Sequence, residues 1–268
     1  MIQAHALFGD ATRTMMALAV FVVGLWALIS PDYFWGIRPY FKCSEGKLSP
    51  QERERLERTM AARQNAEGVP EAYGRWLGVF GIAVAAFTFV YPVPFVVPYG
   101  LLCVAIAVLT ILGYLQFRRA TDRRVAPLLP RSALSALPLA AIVAMLCCFV
   151  TALTLAIYPP LRAGAIVGAV VTLVLGVIAW RIASAPALLL GIDPQAEYAV
   201  DERVRAGRAT SIALLACAPA MVFVVLSTRS VPPQYSLHAV AAQSIVIVAF
   251  FVALILAALP LRRSISVA

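Results

Sequence analysis

Charged residues in this chain fall into blocks separated by long apolar runs. Uncharged runs occupy residues 14–31, 76–117, 132–161, 163–180, 209–228 and 230–261. A helix rises about 1.5 Å per residue, and roughly 20 apolar residues cross the hydrocarbon of a bilayer. The run 76–117 has room for two spans and each of the others for one, so the pattern predicts seven membrane-spanning helices. None of the runs alternates apolar and polar residues strictly, which sets a transmembrane barrel aside. The predicted fold is therefore all-α, a polytopic transmembrane helical bundle forming a single domain over 1–268.

The one long polar segment is 31–75, and it carries its own helix signal. Ser49-Pro50-Gln51-Glu52 places a hydroxyl at the N-cap, proline at the first helical position and a carboxylate at the third, the capping-box arrangement. A helix is predicted over about 50–65, ending before Gly68 and Pro70, with Arg53/Glu57 and Glu54/Arg58 as opposite charges four residues apart. Its apolar positions are chiefly Leu56 and Met60, so it reads as a solvated helix over the membrane surface, with docking to a partner as the alternative.

Composition agrees with the pattern: hydrophobic residues make up 62% of the chain and charged residues 13%, against roughly 45–50% and 25% in soluble domains. The 22 Lys and Arg residues set the orientation. Segment 31–75 holds eight, 118–131 five, 181–208 four and the C-terminal tail two, leaving only Arg13, Arg162 and Arg229 on the opposite side. The positive-inside rule then puts the N-terminus outside, the C-terminus inside and the 50–65 helix in the cytoplasm. The expected location is a bacterial cytoplasmic membrane, with the lipid bilayer as the first partner. The net charge of +9 is explained by this topology and is no nucleic-acid footprint. Arg118, Arg119, Arg123 and Arg124 are candidates for holding anionic lipid headgroups.

Three further patterns bear on packing and chemistry. Gly164, Gly168, Thr172 and Gly176 recur every four residues in the fifth span, a small-residue stripe that lets another helix approach closely. Weaker stripes are Ala140/Ala144/Cys148/Ala152 and Ala249/Ala253/Ala257. Cys147-Cys148 points two thiols about 100° apart with no third thiol evident beside them, so the cysteines read as small packing residues. Gly36-Ile37-Arg38-Pro39 and Gly191-Ile192-Asp193-Pro194 each follow an outside-to-inside helix, which suggests a weak internal repeat of 14–117 and 163–260.

Gly36-Ile37-Arg38, followed by a charged segment that enters a new helix through Gly74-Arg75-Trp76-Leu77-Gly78, resembles bacterial membrane proteins of the SdpI immunity type. The threonines that follow Gly-x-Arg in that family are missing and the tryptophan lies on the other side of the arginine, so the family is not adopted.

Aspartate and glutamate are missing from every predicted hydrocarbon depth, where ion pumps, metal transporters and retinal proteins place ionisable groups. No metal-ligand, P-loop, dinucleotide or Ser/His/Asp motif occurs, and no cofactor is expected. An enzyme built on the cytoplasmic loops would have Arg38, Arg53 or Asp201 to work with. The expectation is instead a non-catalytic integral membrane protein, a structural, assembly or regulatory component that meets a protein partner or its own copy through the stripes or the cytoplasmic loop. The alternative is a permease or channel for a neutral or lipidic solute, its cavity lined by Thr151, Thr154, Gln243, Ser244 and Arg181, the last either buried or snorkelling to the interface.

Overall fold

The structure is a computed structural model that describes residues 14–29 in part, 49–67, 71–91, 96–122, 133–159, 162–186, 191, 193–227 and 241–255 in part. Among the described residues it is all-helical, with seven helices and no strand: α1 (Pro50–Glu67), α2 (Glu71–Val90), α3 (Val96–Asp122), α4 (Ala133–Ala136), α5 (Leu139–Leu155), α6 (Arg162–Ala183) and α7 (Pro194–Ser227). Further helical positions lie within 14–29 and 241–255. One helix among the described residues, α6, is long and apolar enough to cross a membrane, with a mean hydropathy of 2.3. Gly78–Val90, Cys103–Leu115 and Leu139–Leu155 are shorter apolar helices.

Prolines shape the helix boundaries. Between the two helices of the run 76–117, α3 begins at Val96 with Pro98 in its first turn. Amides of a first turn have no acceptor inside the helix, so a proline there removes no bond. The run 132–161 was expected to hold one span, but Pro138 divides its helix into α4 and α5, and α5 ends at Leu155. Pro138 adopts φ −58° and ψ 136°, leaving its carbonyl to accept the amides of Ala141 and Ile142. The charged stretch 197–208 runs without a break into the apolar run that follows it. They form the single 34-residue helix α7, about 51 Å long.

The chain divides into two compact units, residues 1–36 with 70–113, and 37–69 with 114–268. In the first unit the helical positions near Gly24 cross α2 at Gly78 and Gly81. A Cβ on Gly24 would lie 3.0 Å from both Gly78 O and Ile82 N, and one on Gly78 would lie 2.8 Å from Gly24 O. Only glycine allows that approach.

The second unit is built on α5, α6 and α7, each packed on the other two, with α1 against α7. Small residues line the contacts. Gly164, Ala165, Gly168, Ala169, Thr172 and Ala179 of α6 are buried, as are Ala141, Ala144, Cys148 and Ala152 of α5 and Ala209, Ala213, Ala216, Cys217 and Ala220 of α7. The Thr172 hydroxyl donates to Ala216 O of α7 at 2.8 Å, which its closeness to that backbone permits. The opposite faces are equally apolar and exposed: Ile166, Val170, Leu173 and Val177 on α6, and Val143, Leu146, Val150 and Leu153 on α5.

Candidate functional site

The base of α7 holds the only concentration of buried charge among the described residues, and it starts with the helix cap. Asp193 precedes Pro194 at the first helical position, and its Oδ1 accepts the Ala196 amide at 3.3 Å. One turn on, Glu197 is buried and reaches back, taking the Gly191 amide on Oε2 at 3.0 Å and the Asp193 amide on Oε1 at 3.3 Å. Gly191 holds φ +81°, a conformation glycine adopts at no steric cost. The carboxylate thus folds the incoming loop onto the positive end of the helix.

The next turns continue the row. Asp201 accepts a hydrogen bond from Arg63 Nη1 of α1 at 2.8 Å, in an ion pair whose side chains are each 3% exposed. Arg205 Nη1 donates to Ala183 O at 3.1 Å, meeting a carbonyl at the C-terminal end of α6. Arg208 is buried too. Positions 193, 197, 201, 205 and 208 recur at four, four, four and three residues, so they share one face of α7.

Against that face lies α1, and its docking corrects the reading of a solvated helix. Leu56, Thr59, Met60 and Arg63 recur at i, i+3, i+4 and i+7 and are all buried. Arg55 Nη2 adds a second tie, 3.1 Å from Asp193 Oδ2. The other side of α1 stays in water, where Arg53 pairs with Glu57 at 3.2 Å and Arg58 with Glu54. Its first turn closes as the capping box requires. The Ser49 hydroxyl and amide donate to Glu52 Oε2 at 2.6 and 2.8 Å, and the Glu52 amide donates to Ser49 Oγ at 3.3 Å. The Ser49 hydroxyl, and then its amide, hold the Glu52 carboxyl below its ordinary range.

Other residues singled out from sequence are dispersed. Gly164, Gly168 and Thr172 are buried on α6, and Gly176 is half-buried beside Met145. Thr151 is buried with its hydroxyl on Cys147 O at 2.7 Å, while Thr154 is exposed and donates to Thr151 O at 2.8 Å. Both stand at the end of α5 that turns into α6. Arg181 is nineteen residues beyond Arg162 in α6, about 28 Å along that helix, and exposed. Arg181 therefore stands at the other end of α6 from the two threonines. Ser244 is helical and exposed, and Gln243 lies outside the described residues. Arg118 is exposed on α3; Arg119 continues that helix, and Arg123 and Arg124 lie outside the described residues. Of the residues left to an enzyme, Arg53 pairs with Glu57, Asp201 with Arg63, and Arg38 lies outside the described residues, as does the Gly36–Pro39 half of the proposed repeat.

Of the cysteines, Cys148 of α5 and Cys217 of α7 are buried among small residues, and the Cys217 S–H donates to Ala213 O at 3.4 Å. Among the described residues no three His, Cys, Asp or Glu side chains gather as a metal set.

What the buried row can do is mechanical. It ties α1, the end of α6, the loop at 191–193 and α7 into one joint through charge-assisted bonds, which are short and directional. Compared with known proteins, the chain matches no family model, no curated protein and no solved structure.

Proposed function

We propose that this chain is a seven-span integral membrane protein of a bacterial cytoplasmic membrane, N-terminus outside, and a non-catalytic structural, assembly or regulatory component of a membrane complex. The observation that carries the membrane reading is the double-sided apolarity of α5 and α6. Their inner faces are small and buried, while their outer faces present Val143, Leu146, Val150, Val170, Leu173 and Val177 to the surroundings. Soluble chains rarely leave contiguous apolar ridges exposed, and lipid is the solvent that suits them. Support for a structural role comes from the use of the buried charge, since the Arg63–Asp201 pair and the Arg205 bonds are engaged in closing the chain on itself. The charged outer side of α1 then remains as the face a cytoplasmic partner would meet.

The test combines topology and association. In a cysteine-free background, a cysteine replacing Glu54 is expected to resist a membrane-impermeant maleimide in intact cells and to react once the membrane is opened. Labelling from outside overturns the orientation. Mild solubilisation is expected to recover the protein in a larger assembly, and recovery alone as a monomer overturns the assembly role.

A further inference from the structure

We propose that the C-terminal end of α6 binds the headgroup of an anionic phospholipid, with Arg181 as the cation, Trp180 beside it and the outer ridge of the helix as the bed for an acyl chain. Its place at a headgroup layer rests on the membrane reading above. Ile166, Val170, Leu173 and Val177 are each about half exposed. They succeed one another at intervals of four, three and four residues, so they form one continuous ridge along α6. Trp180 and Arg181 follow Val177 by three and four residues, which sets them on either side of the ridge line at its end. Trp180 is 46% exposed, and Arg181 is exposed as well. The 28 Å that separates Arg181 from Arg162 along the helix is close to the roughly 30 Å of hydrocarbon in a bilayer, so the guanidinium reaches the headgroup layer. A ridge of aliphatic side chains that ends in an indole and a cation repeats the order of parts in a phospholipid, with the chain first and the phosphate at the water boundary.

Local electrostatics leave Arg181 available to an anion. The last carbonyls of a helix carry partial negative charge, which by itself would repel a phosphate. Here Arg205 Nη1 donates to Ala183 O at 3.1 Å and to Ala185 O at 3.5 Å, and the Ser184 hydroxyl donates to Trp180 O at 3.0 Å. A buried cation and a hydroxyl thus already meet that end of the helix. Among the described residues no carboxylate pairs with Arg181. Arg162, at the opposite end of α6, differs: its Nε donates to Ala156 O at 3.3 Å and so closes the turn from α5. One arginine of this helix is used within the fold and the other faces outward. The planar guanidinium can give a phosphate two parallel hydrogen bonds, and the indole adds an apolar body with a single N–H donor at the boundary.

Trp180 is its own probe. With Trp26, Trp35 and Trp76 replaced by phenylalanine, it is the last of the four tryptophans of the full-length chain. The protein is reconstituted in phosphatidylcholine vesicles that hold a small fraction of lipid brominated on its acyl chains, either phosphatidylglycerol or phosphatidylcholine. Brominated phosphatidylglycerol is expected to quench Trp180 as if enriched about fivefold over phosphatidylcholine beside the ring, the preference one surface arginine gives. Arg181→Gln is expected to bring the enrichment close to one, and Arg181→Lys to keep most of it. Glycerol phosphate added to the water is expected to leave it unchanged, and its loss there would overturn the lipid as the occupant. Equal quenching by both lipids, or an enrichment that Arg181→Gln leaves intact, overturns the proposal while the membrane reading stands. No quenching with the emission of a buried indole means that a second copy or another protein covers the ridge, and overturns it too. No quenching with the emission of a hydrated indole overturns the membrane reading as well. Wild-type protein released from mixed-lipid nanodiscs in a mass spectrometer gives a second measurement that needs no tryptophan replacement. Arg181→Gln is expected to retain one phosphatidylglycerol fewer than wild type, and identical retention would overturn the proposal.

Discussion

Replacing Asp201 with alanine is the sharpest perturbation of the α1–α7 joint. It removes the carboxylate 2.8 Å from Arg63 Nη1 and leaves that guanidinium in a site where its side chain is 3% exposed. At an effective dielectric near 20, unit charges at that distance attract by about 6 kcal/mol, most of it offset by the desolvation of both groups. The pair therefore adds little net stability compared with apolar side chains. Removing one partner is different, and costs about 3–5 kcal/mol because the remaining charge stays buried or must drag its helix into water. A loss of 3 kcal/mol shifts the docking of α1 about a hundredfold toward release. Trypsin reads this directly, since Arg53, Arg55, Arg58 and Arg63 all lie on α1. Asp201→Ala is expected to speed cleavage within 53–63 by that order while cleavage elsewhere changes little. The double variant Arg63→Met/Asp201→Leu, apolar on both sides, is expected to recover most of the loss. A double variant cleaved as fast as Asp201→Ala would refute the reasoning, as would a single variant cleaved like wild type.

Other substitutions test the remaining contacts. Leu56 is 1% exposed under α1, so Leu56→Ala should cost about 2–5 kcal/mol, measured by the same cleavage assay, and a loss below 1 kcal/mol would mean α1 barely packs. Gly78→Ala places a methyl 2.8 Å from Gly24 O and 2.9 Å from Leu28 N. The overpacking cost of about 1–3 kcal/mol should outweigh the gain in helix propensity, so its thermal unfolding midpoint in detergent should fall rather than rise. Glu52 has its carboxyl held below the usual range by Ser49. A depressed carboxylate stabilises the folded cap above its unfolded pKa, near 4.3, and loses that contribution as pH falls through the folded value. Hydrogen exchange at 50–53 should therefore quicken on acidification in wild type and be fast and pH-independent, apart from its chemical rate, in Glu52→Gln.

How much of this was legible depends on whether the cause was local. The start of α1 was, because Ser49 and Glu52 are three residues apart and satisfy each other whatever the rest of the chain does. The docking of α1 was not, because the residue that makes it possible to bury Arg63 lies 138 positions away. Leu56 and Met60 alone look too sparse to bury a face, and only a partner carboxylate turns Arg63 into part of that face. On α7, Glu197, Asp201, Arg205 and Arg208 are spaced along one face, and charged positions on an amphipathic helix are normally its wet side. The spacing was visible; that α1 lies over it was not.

The length of α7 explains why a buried charged row stands where it does. On the membrane reading proposed above, about 20 residues of α7 suffice for the hydrocarbon, which leaves about 14 of its 34 residues projecting some 20 Å from the bilayer. That projecting part is 194–207, where the acidic residues and Arg205 lie. Its inner face cannot be apolar throughout without reading as more membrane, nor can it stay bare beside the end of α6. Arginine and carboxylate meet both constraints, because each is excluded from lipid and each specifies a partner. Leu56 and Met60 alone would let α1 slide along α7 by a turn. Two ion pairs, Arg55 with Asp193 and Arg63 with Asp201, are spaced eight residues apart on both helices, and a shift of one turn in either direction breaks both. The buried pair is thus better understood as setting the register of α1 than as a source of stability.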